Sequence, residues 1–189
     1  MNKRQNVIDR SATYLARLIR THNPNAESEK VLFYALSLSI NVLSSVVFSI
    51  FFSLITGHFL ETTISILGFL ILRYFSGGLH LNSSLGCCIF STFVIILSSH
   101  VHFNYHFSGL WLTIGAFFMV LITAPNGIEG ISRIPKAYYP LLKVISCLIV
   151  LSNFYFQSSV LAAIFFFQAV LTTKPAYFIL DKLERKVTP

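Results

Sequence analysis

Charge is what this sequence has least of. Of its 189 residues only 11% are Asp, Glu, Lys or Arg, against about 25% in soluble domains. That shortage, beside 54% hydrophobic residues, excludes an ordinary globular core and reads as a chain that crosses a membrane several times. Acidic residues are scarcer still, 7 against 14 basic ones. The basic residues crowd the two ends: Lys3, Arg4, Arg10, Arg17 and Arg20 at one, Lys174, Lys182, Arg185 and Lys186 at the other. Clusters of this kind beside apolar spans mark the cytoplasmic face rather than a nucleic-acid surface, so no nucleic-acid partner is expected. Cysteine is limited to Cys87, Cys88 and Cys147, which is no disulfide framework and favours free thiols. The start of the chain lacks the basic, apolar and cleavage-site order of a signal peptide. No internal repeat is evident.

What is present is a series of apolar runs. Residues 6–21 come first and are amphipathic: Val7, Ile8, Ala12, Tyr14, Leu15, Leu18 and Ile19 recur at helical spacing, with Arg10, Arg17 and Arg20 largely off that face. This pattern predicts a helix on the inner leaflet, in contact with lipid, or packed on the rest of the protein. Asn23-Pro24-Asn25 ends it. Val31–Ile55 is free of charge and long enough to span about 30 Å of hydrocarbon. Phe59–Leu72, Leu85–Val101, Leu110–Ala124, Tyr138–Leu151 and Val160–Thr173 follow. The loops 56–61, 101–109 and 152–158 carry no Lys or Arg, whereas the intervening loops and both ends do.

This alternation predicts an all-α, polytopic membrane protein with about six transmembrane helices and both termini cytoplasmic. Four crossings with two shallow segments is the alternative, because several runs are short. The chain reads as one domain: residues 1–24 an amphipathic interfacial helix, 31–173 a transmembrane bundle, 174–189 a basic cytoplasmic tail.

The stretch from Arg73 to Cys88 stands out against this apolar background, with Arg73, Gly77, Gly78, His80, Cys87 and Cys88 in sixteen residues. Polar and reactive groups at a membrane boundary are costly and ask for a function. A Cys and a His that can meet suggest a thiolate nucleophile and its base. On one straight helix His80 and Cys87 would lie about 10.5 Å apart, too far for proton transfer. The intervening stretch is therefore expected to break. Asn82-Ser83-Ser84 are capping types that would start a helix near residue 84, leaving His80 in a loop and Cys87 in the first turn. There free backbone N–H groups favour a thiolate. Cys88 points about 100° away from Cys87, and spacing does not decide which of the two faces His80. Gly77 and Gly78 would let the chain turn and an extended peptide approach; a plain helix end is the simpler reading. Arg73 could hold a substrate carboxylate or polarise a carbonyl, or serve as a positive-inside anchor. No acidic residue in the segment can orient the histidine.

Arg73, the glycine at 78, His80 and Cys87 together resemble the accessory gene regulator protein B (AgrB) family, membrane endopeptidases that process quorum-sensing peptide precursors. The likeness extends over the basic amphipathic start, the short spans, and Ala124-Pro125 followed by a loop with Pro135. A lysine run typical of that loop is thin here, reduced to Arg133 and Lys136. The resemblance implies that Cys87 is the nucleophile and His80 its acid–base partner. It implies cleavage of a small precursor with an amphipathic N-terminal part and an acidic C-terminal tail, through an acyl-thioester, then closure of a thiolactone or lactone ring. It also implies a homodimer in the cell membrane, working at the cytoplasmic side without cofactor or metal. Charge complementarity nominates Arg73, Arg133, Lys136 and Lys143 to receive the acidic tail.

Two other classes compete. A small transporter or channel fits the short spans, although no repeat or broken-helix pair is visible in the sequence. His100, His102 and His106 have spacing compatible with a metal ligand set, but sit in an aromatic interfacial loop with Phe103, Tyr105 and Phe107.

Overall fold

The computed structural model describes residues 6–79, 81, 83–128 and 134–187, with side chains to Lys182. Secondary structure among them is helical. α1 (Val7–His22) is capped by Asn6, whose side chain accepts from the Asp9 amide at 2.9 Å. Ser28 caps α2 (Glu29–Thr56), a 28-residue helix that stops at Gly57. α3 (Phe59–Ser76) runs back. Ser83 caps α4 (Ser84–Ser99) by accepting from the Gly86 amide at 3.3 Å. A π-turn at Tyr105–Gly109 opens α5 (Leu110–Thr123), and a 3-10 turn at Lys136–Tyr138 opens α6 (Tyr139–Leu151). A short α7 (Asn153–Phe156), α8 (Ser159–Val170) and α9 (Lys174–Val187) complete the chain.

Four of these stretches are long and apolar enough to cross a membrane: Glu29–Thr56, Phe59–Ser76, Tyr105–Thr123 and Lys136–Phe156. A fifth arises if α8 and α9 count as one span bent by 68°. α4, at 16 residues, is only about 24 Å long. Thus the third expected run is a short helix and the sixth is a broken one. Residues 174–187, within the expected basic tail, form the helix α9.

The core lies around α8, which packs on α3, α4 and α5. Ile164, Phe165 and Ala169 of α8 meet Phe69 and Leu72 of α3, Ile95 of α4 and Val120 of α5 there. On the other side α2 packs between α1 and α4. The buried residues of α2 are not its large apolar ones but Ser37, Asn41, Ser45, Ser49 and Ser53, one every fourth residue. Small residues let helices approach closely in lipid, while the bulky Val, Leu and Phe side chains of α2 face outward.

The amphipathic face of α1 is divided. Ile8, Ala12 and Ala16 are buried, whereas Val7, Tyr14, Leu15, Leu18 and Ile19 stay exposed. The helix therefore has one apolar stripe on the protein and a second one free. A hydrogen bond from Ser84 Oγ to Asp9 Oδ1 at 2.6 Å ties α1 to the first residue of α4.

The two ends of the bundle differ in kind. At one end the His58 ring packs against those of His100 and His102, and Asn153 Nδ2 donates to Thr113 Oγ1 at 3.0 Å. The 56–61 and 101–109 loops, neither of which carries Lys or Arg, thus meet there, and the 152–158 loop lies against α5. At the other end lie Arg73, the start of α4, the Pro125–Ile128 segment and the α8–α9 break.

Candidate functional site

The site begins where α3 ends. Gly77 has φ +68° and ψ −142°, a backbone open essentially to glycine alone. A Cβ there would run into the Asn126 carbonyl oxygen. The close approach is that of a short parallel bridge between Gly77 and Asn126. The Gly78 amide donates to Asn126 O at 2.8 Å, and the Asn126 amide donates to Ser76 O at 3.1 Å. The extended partner of the glycine pair in this structure is the chain itself.

Further hydrogen bonds hold this loop. The Leu79 amide donates to Leu171 O at 3.0 Å, and Asn126 Nδ2 donates to Thr172 O at 2.7 Å. Both acceptors lie at the break between α8 and α9, where helical bonding leaves carbonyls free. Gln168, fully buried on α8, donates through Nε2 to Gly77 O at 2.7 Å and Ser76 Oγ at 3.1 Å. Its Oε1 accepts from Arg73 Nη1 at 3.3 Å, and Arg73 Nη2 donates to Leu79 O at 2.5 Å. Arg73 therefore binds the loop that leads to the thiol helix.

Cys87 lies in the first turn of α4 and is 5% exposed. It lines a cavity of about 130 Å³ together with Tyr34, Ser37, Asn41, Leu81 and Ser84, room for roughly four waters. A smaller cavity of about 30 Å³ also borders Cys87, beside Asn41, Phe69, Arg73 and Ser91. The Arg73 guanidinium and the Tyr34 hydroxyl both lie within electrostatic reach of the thiol. Cys88 is also buried, and its carbonyl accepts from Ser45 Oγ at 3.3 Å.

The other nominated residues fall in different places. His80 and Arg133 lie outside the described residues. Lys136 is exposed on the turn before α6. Lys143 is half-buried on α6, which packs against α3 and α5. His106 packs on Tyr105, apart from the His58–His100–His102 group. Among the described residues no set of three His, Cys, Asp or Glu side chains is arranged to hold a metal ion.

Sequence reasoning missed Gln168, Asn126, Asn41 and Asp9. Gln168 and Asn41 had one available signal, an amide within an otherwise apolar run.

Fold and site together define a helical membrane protein with a buried thiol at a helix start, preceded by a loop pinned by a half-buried arginine and a buried glutamine. Residues 9–178 match the profile of the family Accessory gene regulator B, and the chain belongs to that family. An AgrB-like protein of Listeria monocytogenes serotype 4a is 32% identical over 95 residues, 48% of this chain and 46% of that protein. An AgrB-like protein of Listeria innocua serovar 6a is 31% identical over 109 residues, 55% of this chain and 52% of its own length. The chain thus spans about half the length of the curated relatives it matches. No solved structure matches it.

Proposed function

We propose that this protein is a membrane-embedded cysteine endopeptidase that processes a small autoinducing-peptide precursor for quorum sensing. The observation that carries the reading is the place of Cys87: a buried thiol in the first turn of α4, on the wall of a cavity and in electrostatic reach of Arg73. Family membership supplies the substrate class.

Cys87 attacks a peptide carbonyl of the precursor. A bond forms between Sγ and the carbonyl carbon, and the C–N bond breaks. His80 takes the thiol proton and returns it to the departing amine of the C-terminal fragment. The N-terminal part stays attached as a thioester. A thiol or hydroxyl within the bound peptide then attacks that thioester and closes a thiolactone or lactone. Thiol-to-thioester exchange replaces one bond by another of the same kind, so no external energy source is required. Water must be kept from the acyl-enzyme. Leu79, Leu81 and Leu85 are the side chains proposed to exclude it.

Arg73, Arg133, Lys136 and Lys143 are proposed to receive the acidic precursor tail, and the Gly77-Gly78 turn to let the extended peptide approach. The working arrangement is one domain, an interfacial α1 and six crossings, both termini cytoplasmic, and two copies forming a homodimer. The contact between two loops without Lys or Arg, 56–61 and 101–109, at the end of the bundle opposite Arg73 supports this sidedness.

The test is intact mass spectrometry of the purified protein mixed with candidate precursor peptides, wild type beside Cys87→Ala and Cys88→Ala. An adduct equal to a truncated precursor is expected in wild type and Cys88→Ala and absent from Cys87→Ala. An adduct formed equally by both variants would refute the assignment.

A further inference from the structure

The buried row on α2 contains one residue that helix packing does not explain. Ser37, Ser45 and Ser53 donate their hydroxyls to the carbonyls of Tyr34, Asn41 and Ile50, at 2.9, 2.9 and 2.7 Å. Ser49 Oγ has no partner, but it is a hydroxyl one rotation away from its own helix's carbonyls. Asn41 cannot satisfy itself in this way. It is 7% exposed, and its Oδ1 meets no hydrogen-bond partner. An unpaired buried amide costs about 1–3 kcal/mol, and a native structure that retains one calls for a reason.

The position of Asn41 supplies it. This residue and Cys87 border the same two cavities. A carboxamide can be turned over without changing its shape, and no hydrogen bond to Oδ1 opposes the turn. One orientation presents the Nδ2–H donors to the space in which an acyl group on Cys87 must sit. Of the other donors nearby, the Tyr34 hydroxyl borders only the larger cavity, and several more are committed. Arg73 donates to Leu79 O and Gln168 Oε1. In the first turn of α4, the Gly86 amide donates to Ser83 Oγ and the Cys87 amide to Ser83 O.

We infer that Asn41 is a catalytic residue: its Nδ2–H holds the oxyanion that forms when Cys87 attacks a carbonyl. As the Cys87 Sγ–carbon bond forms, the carbonyl π pair moves onto oxygen, and Asn41 donates to it. When that pair returns, the bond to the leaving group breaks and the leaving group departs with its electrons. A neutral donor carried on a packed helix beside the thiol stabilises such a charge without any counter-ion. The inference rests on Cys87 being the nucleophile.

The test compares two reactions of Cys87 in the full-length protein in lipid vesicles. Acetylation by p-nitrophenyl acetate passes through an oxyanion and releases nitrophenolate; alkylation by iodoacetamide displaces iodide at a saturated carbon and makes none. Asn41→Ala is expected to slow acetylation of Cys87 by about 10²–10³-fold and to leave its alkylation rate unchanged. Asn41→Ser keeps the small polar packing of the row and is expected to do the same, should the alanine variant fail to fold. Acetylation at the wild-type rate would overturn the inference. A parallel fall in both reactions would also overturn it, since that is the mark of a displaced thiol. A wild-type protein in which Cys87 is acetylated no faster than Cys88 or Cys147 has no activated thiol, and then the proposed function falls too.

Discussion

Replacing Gln168 with Leu tests whether the loop before the thiol helix is pinned as described. Leucine nearly fills the same space, so the change removes hydrogen bonds with little loss of packing. Three are lost: Nε2 to Gly77 O at 2.7 Å, Nε2 to Ser76 Oγ at 3.1 Å, and Arg73 Nη1 to Oε1 at 3.3 Å. The first two are neutral and contribute about 0.5–1.5 kcal/mol each; the third involves a cation and contributes about 1.5–3. Gln168→Leu is therefore expected to lose about 2.5–6 kcal/mol of stability, a large share of the roughly 5–15 kcal/mol typical of a folded domain. The assay is unfolding in mixed detergent micelles by titration with SDS, followed by helical circular dichroism. Hydrogen exchange of the peptide covering residues 73–87 gives a local readout. The Gly78 and Leu79 amides, bonded to Asn126 O and Leu171 O, are expected to lose protection before the rest of α3. A variant within about 1 kcal/mol of wild type, with unchanged exchange in this segment, would refute the argument.

Gly77→Ala is expected to destabilise by at least about 1–3 kcal/mol of backbone strain. It should cost more than Gly57→Ala, because φ is positive at both but nothing lies within 4 Å of a Cβ at Gly57; equal losses in the same titration would remove the role assigned to Asn126. Ala16, fully buried against the bundle, leaves no room for a larger side chain. Ala16→Leu should cost about 1–3 kcal/mol and speed trypsin cleavage after Arg17 and Arg20; unchanged cleavage would show that α1 does not dock through that face. Reversing the charges of Arg133 and Lys136 together is expected to raise KM for a precursor with an acidic tail while leaving kcat unchanged. Unaltered kinetics would exclude those two residues as its receptor.

Much of the helical framework was legible because local chemistry fixes it. The charge-free run after Val31 and the Gly57 stop define α2, and Ser83 marks the start of α4 by its capping chemistry alone. Cys87 and the glycine pair stood out for the same reason, as reactive or permissive residues in an apolar setting. The contacts that build the site were not legible. Gln168 meets Arg73 across 95 positions of sequence and Ser76 across 92, and no periodicity within one run carries such a pairing. Asn126 looked like part of a turn after Pro125, and only the fold sets it beside Gly77. That the basic segment 174–187 is helical was not legible, because its charges obscure an amphipathic pattern. Asn41 fell in a run judged by its lack of charge, a measure that passes over a neutral amide.

The break between α8 and α9 gives the molecule a shared joint. Leu171 and Thr172 are where the chain changes direction by 68°, and their carbonyls are also the posts to which Leu79 and Asn126 are tied. Hinge and anchor are the same atoms. Straightening the two helices into one rod would return those carbonyls to helical bonding and untie the stretch that leads to Cys87. An insertion or deletion of one residue at 171–173 would rotate the posts by about 100°, so spacing there is constrained as tightly as side-chain identity.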